Sequence, residues 1–253
     1  MQTKILLEVA VFTPESALIA AKAGADRIEL CSGYPEGGLS PAASTIKQVR
    51  KSVDCYLHVM VRPRIGDFLY TEYEKQIILD EIKYCKSINI DGVVVGALTT
   101  TGDIDENFIS AIKETAYPMS VTFHRAFDIS RDLFFSMDKL ISCGIDRILT
   151  SGGENSAFDG RKTIAKLIKR AAGKIIVLPG GGITAKNVTE LLATTKASEI
   201  HFSGKHLMVS RMNKLSKIKL STSIDTDEYN WFECDYDIVK NMTDILKTGD
   251  KTQ

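Results

Sequence analysis

The sequence supplies no staple, no membrane anchor and no net electrostatic field. Its five cysteines are odd in number, irregularly spaced and include no Cys-x-x-Cys pair. A disulfide-framed secreted domain is thereby disfavoured, and reducing cytoplasm is the expected compartment. No apolar run approaches the roughly 18 residues that cross a bilayer. Residues 1–11 carry Glu8 within their apolar stretch and lack a signal-peptide cleavage pattern. The 32 basic residues cancel the 32 acidic ones, which excludes a general electrostatic affinity for nucleic acid or an anionic membrane. With 6 prolines and 18 glycines in 253 residues, collagen-like and disordered chains are excluded as well.

What remains is a soluble globular composition, 44% hydrophobic and 25% charged, on a chain long enough to bury a large core unaided. Short apolar runs alternate with helical segments. Strands are predicted at 5–11, 27–31, 55–62, 92–97, 119–125, 147–151, 175–178 and 199–203. The helices between them span 14–23, 41–51, 71–87, 105–116, 130–142, 157–172 and 184–193. Thr13 and Ser40 are the predicted caps of the first two helices, and Pro14 suits the first helical position. Eight strands in this alternation predict a parallel sheet closed into a single-domain (β/α)8 TIM barrel. A short repeat agrees: Gly24-Ala25-Asp26-Arg27-Ile28 recurs as Gly144-Ile145-Asp146-Arg147-Ile148, and more loosely at 89–93. In each copy Gly or Asn can end a helix in the left-handed conformation before the next strand. The barrel is assigned to residues 1–205. Residues 206–253 form a C-terminal extension whose last helix, at 235–247, is expected to pack on the barrel, with 249–253 as a frayed end.

Alternation then sorts the side chains. The barrel exterior is covered by helices and must be apolar. Glu8 and Ala10 therefore face inward on the first strand, and Arg27, Glu29 and Cys31 on the second. Tyr56, His58, Met60 and Arg62 follow on the third, Ser120, Thr122 and His124 on the fifth, and Glu199, His201 and Ser203 on the eighth. On the sixth strand either Thr150 or Ser151 could face inward. Buried charges of this number must pair or border a wet pocket. Glu8 and Glu29, with His124 and His201, are the candidate acid–base groups; a structural network with Arg27, Arg62 or Arg125 is the competing reading. Arg62, Arg64 and Arg125, with Gly181, Gly182, Ser203 and Gly204 in the loops after strands seven and eight, are the candidate anion or phosphate site. Cys31, His58 and Met60 offer soft and imidazole ligands for Cu(I). The competing reading, in the absence of a ligand-spaced motif, is that Cys31 and Met60 are core fillers.

Six segments together resemble the CutC family of copper homeostasis proteins. They are RIELC at 27–31, VRPRIGDF at 61–68, TFHRAFD at 122–128, DRILTSGG at 146–153, PGGGIT at 179–184 and IHFSGK at 200–205. The resemblance covers about residues 5–205. It implies a (β/α)8 barrel and a cytoplasmic protein that handles copper, with Cu(I) at the barrel mouth. The chain departs from the family at Ala10, where many relatives carry Cys, so any site needing that thiolate is weakened while Cys31 remains. Two functions stay open: a Cu(I)-binding homeostasis protein, and a barrel enzyme applying Glu/His acid–base chemistry to a small anionic or phosphorylated metabolite. The expected partner is accordingly a copper ion or such a metabolite. A homodimer or higher homo-oligomer is compatible with either.

Overall fold

A computed structural model describes residues 4–214, 216–218, 220 and 228–248. The expected frayed end at 249–253 lies outside them. Eight strands build the centre: β1 (Leu6–Val11), β2 (Arg27–Leu30), β3 (Tyr56–Met60), β4 (Gly92–Val95), β5 (Ser120–Phe123), β6 (Arg147–Thr150), β7 (Ile176–Pro179) and β8 (Glu199–Phe202). All ladders are parallel, in the order β7-β6-β5-β4-β3-β2-β1-β8. The two ends, β7 and β8, lie side by side and make the ring a nearly closed barrel.

Seven helices wrap it: α1 (Pro14–Ala23), α2 (Ala43–Arg50), α3 (Glu72–Ser87), α4 (Glu106–Ala116), α5 (Leu133–Ser142), α6 (Arg161–Ala171) and α7 (Val188–Thr195). The local chemistry explains their ends. Thr13 accepts the Ser16 N–H with Pro14 in the first turn. Thr71 and Glu74 form a reciprocal capping box. Gly24, Asn89 and Gly144 all have positive φ, as the repeat predicted (100°, 58° and 72°). Four helices, α2, α5, α6 and α7, start two or more residues later than expected. Ser40 does not cap α2, because its hydroxyl is committed to Glu81 and to the Arg62 N–H. Residues 157–160 and 184–187 form turns ahead of α6 and α7. Between β5 and α5 a 3₁₀ turn at Arg125–Ile129 intervenes, and Asp132 becomes the cap of α5.

The outward faces of the strands, such as Leu7 and Val9, Ile28 and Leu30, Leu57 and Val59, and Val121 and Phe123, join the helices in one continuous core. Each such buried side chain contributes about 1.5–3 kcal/mol. After β8 the chain adds a hairpin the sequence pattern did not predict, β9 (Lys205–Val209) against β10 (Asn230–Cys234), and then α8 (Tyr236–Thr248). Both β10 and α8 pack on α1. The Cys234 N–H donates to Ser16 Oγ at 3.0 Å, and Thr243 Oγ1 donates to the Ala23 carbonyl at 3.2 Å. Among the described helices none is long and apolar enough to cross a membrane.

Candidate functional site

The polar interior divides into two layers. Toward the N-terminal ends of the strands, Arg147 holds Glu199 through Nε and Nη2 (2.7 and 3.0 Å) and reaches Ser120 at 3.2 Å. Arg27 bridges Glu199 (2.5 Å) and Glu8. Glu8 is fully buried. Burial would raise its carboxyl, but Arg27 and then His201 outweigh that and hold it well below the usual carboxylate range. Tyr56, inward by alternation, is 60% exposed at the open lower end.

One step higher stand Glu29 and His201. Parallel register sets His201 beside Glu8, Glu29 beside Ala10, and His58 beside Glu29. His201 Nδ1 lies 2.8 Å from Glu8 Oε1, and its Nε2 lies 3.9 Å from Glu29 Oε2. Burial raises the Glu29 carboxyl and the Glu8 charge adds to it, over the opposing pull of His201. Against its own burial, the His201 imidazole is raised by Glu29 and Glu8. Glu29 Oε1 is buried with no partner. Glu8, Glu29 and His201 bring three ligand atoms within 4.8 Å of one another; neither Cys31 nor His58 joins that group.

The other expected site residues fall around this centre. Burial holds His58 down at about 3, against the pull of Glu8, and its Nδ1 has no bonded partner. Cys31 and Met60 pack together with Val94 and Phe12. A Cβ at Gly38 would touch both, 3.5 Å from Cys31 Sγ and 3.4 Å from Met60 Cε. Burial, and then Glu29, hold the Cys31 thiol well above its ordinary value; the thiol donates to Glu29 Oε2 at 3.5 Å. His124 is buried at the end of β5, with Nδ1 accepting the Ala126 N–H. Arg62 clasps the loops of the mouth, donating to the carbonyls of Glu36, Gly38 and Gly66.

Arg64 is not brought to the mouth. Its guanidinium is spent on Glu74, Asp67 and the Ile65, Asp67 and Leu69 carbonyls. Arg125 donates to Asp128, Ser151 Oγ and the Glu154 carbonyl. Gly181, at φ 100°, lies against the same guanidinium, where a Cβ would come within 3.2 Å of Nη1. Gly182 sits over Ser156, whereas Gly204 packs against Val239 of α8. Ser203 lines a small cleft with Ala10, Phe12, Tyr34, Lys205 and Phe232.

Two features of the mouth were not anticipated from the sequence. Asp128 gathers Thr150, Ser151 and the Gly153 N–H into one loop anchor; its place beside Arg125 in the segment 122–128 was the available signal. Lys205 places its ammonium 4.3 Å from the Tyr34 ring and 4.8 Å from that of Phe232. No spacing rule joins those three positions.

The CutC family model matches residues 5–206. The chain belongs to the CutC family. It is 41% identical to a family protein CutC of Parabacteroides distasonis, over 94% of this chain and 98% of that one. It is 40% identical to the human copper homeostasis protein cutC homolog, over 96% of this chain and 89% of that one. The crystal structure of the putative copper homeostasis protein CutC from Streptococcus agalactiae superposes with a TM-score of 0.75 at 30% identity, covering 79% of this chain and 98% of that one. The (β/α)8 barrel is thus shared at the level of family as well as of fold.

Proposed function

We propose that this CutC-family barrel binds a small anionic metabolite at its mouth and performs general acid–base chemistry there through Glu29 and His201. The observation that carries the reading is Glu29, a buried carboxyl with one unpartnered oxygen beside an imidazole fixed by a second carboxylate. Glu8, held ionised by Arg27, accepts the His201 Nδ1–H and leaves Nε2 facing Glu29 and the mouth. A nucleophile or base oriented by a third group is the recurring logic of such sites. Glu29 and His201 titrate as a pair: with the shared proton on Glu29, that carboxyl can donate it and the His201 Nε2 lone pair is free to accept another. Gly181 and Gly182 with Arg125 are the proposed anion-holding loop.

The test is proton exchange. Incubating the protein in D2O with a panel of keto acids, hydroxy acids and sugar phosphates, read by proton NMR, should show deuterium entering at least one carbon. Glu29→Gln should lower that rate by about 100-fold. Absence of exchange across the panel overturns the acid–base reading.

A second reading has its own observation: Cys31 and Met60 pack together in one buried cluster, with both side chains against Gly38. Cu(I) prefers thiolate and thioether ligands, and the human relative carries the name copper homeostasis protein. The copper site would rest on the two sulfurs with the buried His58 imidazole as the third ligand, with the thiol proton displaced against the Glu29 charge. Five free cysteines fit a reducing, cytoplasmic setting. Cys31→Ser should weaken Cu(I) binding at least tenfold, about 1.4 kcal/mol, while Cys85→Ser leaves it unchanged. Equal loss in both variants removes the copper site.

A further inference from the structure

Two buried N–H groups at the barrel mouth have no hydrogen-bond partner among the described residues, and both belong to side chains packed on one ring. His124 is 4% exposed. Its Nδ1 accepts the Ala126 N–H at 3.1 Å, so the ring proton resides on Nε2. That Nε2 is buried and unpartnered. Arg62, 8% exposed, spends its two Nη groups on loop carbonyls and leaves Nε buried and unpartnered. The His124 ring lies 4.8 Å from the Phe68 ring, and the Arg62 guanidinium carbon lies 5.0 Å from the same centroid. A buried donor left unbonded costs about 1–3 kcal/mol, and two beside one wall are retained only where something bonds them. The backbone also makes room for the imidazole: a Cβ on Gly96 would collide with it.

Burial, and then the Arg62 charge, keep the His124 pKa at about 3. The ring is therefore neutral at physiological pH. With Nδ1 occupied and Nε2 protonated it has no free lone pair, so it serves as neither base nor proton shuttle. A neutral imidazole can still polarise an oxygen without surrendering its proton.

We propose that His124 Nε2–H and Arg62 Nε–H form a preset donor pair for a ligand oxygen that bears or gains negative charge. This rests on the acid–base reading of the mouth and narrows its substrate to a carbonyl compound with an acidic neighbouring C–H. The proton passes from that carbon to His201 Nε2. The C–H electron pair becomes the C=C bond, and the carbonyl π pair moves onto the oxygen, where the two donors hold it. Donors already aligned on a developing oxyanion lower the barrier more than most other catalytic devices.

Oxalate, a planar mimic of an enolate carboxylate, is the probe. Nitrogen NMR of histidine-labelled protein should show His124 as the Nε2–H tautomer from about pH 5 to 8. Calorimetry should show saturable oxalate binding. His124→Asn keeps an acceptor for the Ala126 N–H but drops the Nε2 donor, and should weaken oxalate at least tenfold, about 1.4 kcal/mol. His124→Gln returns an N–H at similar reach and should lose less than about threefold. An Nδ1–H tautomer, wild-type affinity in His124→Asn, or no saturable oxalate binding up to about 50 mM overturns the donor pair. If the Asn variant does not fold, the wild-type tautomer and the Gln variant decide. Oxalate binding without any carbon exchange sinks the acid–base reading alone. Exchange that survives unchanged in His124→Asn sinks the donor pair alone.

Discussion

Arg27 and Glu29 stand two residues apart on the same face of β2, yet they belong to different kinds of layer. Arg27 lies in the lower layer, where Glu199, Arg147 and Glu8 each have a charged partner at hydrogen-bonding distance. Glu29 lies in the upper layer, where Glu29 Oε1, Arg62 Nε and His124 Nε2 are all unpartnered. Both layers are buried and both are built from charge. The lower one is closed on itself and holds strands together. The upper one is incomplete and directed at the mouth. Pairing, rather than burial or charge, separates the scaffold from the proposed site in this barrel.

The largest expected effect comes from breaking the lower layer. Arg27→Met removes the cation shared by Glu8 and Glu199 and should cost about 3–5 kcal/mol in urea unfolding; a loss below about 1 kcal/mol would erase the distinction between layers. Next comes pH. The folded pKa of His124 lies near 3, below its ordinary 6.5, so the unfolded chain takes up the proton first as pH falls. Its contribution to stability is whole above 6.5 and drains away toward 3, with a slope of about 1.4 kcal/mol per pH unit. His124→Asn should flatten the stability–pH curve by that amount, and an unchanged slope would show a different state of the ring.

Glu29→Gln should act in the opposite sense and more weakly. A raised folded pKa means that the stability from Glu29 is present below 4.5 and lost as pH rises through the folded value. Removing the titration should leave unfolding at neutral pH unchanged or raise stability by up to about 1 kcal/mol, while carbon exchange is lost. A large destabilisation would move Glu29 into the scaffold. The smallest effect belongs to Arg64. Its pairs with Asp67 and Glu74 are partly exposed, so Arg64→Gln should cost about 0.5 kcal/mol and leave oxalate calorimetry unaltered.

The eight strands and their inward faces were legible because two periodicities, helix and strand, alternate without interruption from Leu6 to Phe202. The nearness of Cys31 and Met60 was legible too, since both face inward toward the ends of neighbouring strands. Height along the barrel was not. Alternation put Glu8, Glu29, Arg27 and Arg62 inside, but only the stagger between strands sends Arg27 to Glu8 and Glu199 and leaves Glu29 without a guanidinium at salt-bridge distance. The competing structural-network reading finds support at Glu8, which pairs with Arg27, whereas the groups beside Glu29 are His201 and Cys31. His124 is a candidate acid–base group by its inward position alone; that its Nδ1 accepts a backbone N–H two residues on follows from the 3₁₀ turn, and no residue spacing announces it. Arg64 is a candidate anion ligand by its place in the loop; its pairing with Glu74, ten residues on at the start of the next helix, is not announced by spacing. The β9–β10 hairpin escaped because its two strands are separated by 20 residues with no short turn between them.

The seal on α1 bears on how the molecule is made. Ser16, Ala20 and Ala23 of α1 are buried, and part of their cover is the hairpin strand β10 and helix α8, more than 200 residues later in the chain. During synthesis the first helix to form is the last to be completed. Contacts of such sequence separation slow folding and leave apolar surface open meanwhile. A nascent chain holding all eight barrel strands would thus still show an uncovered patch to chaperones, which residues 230–248 would close.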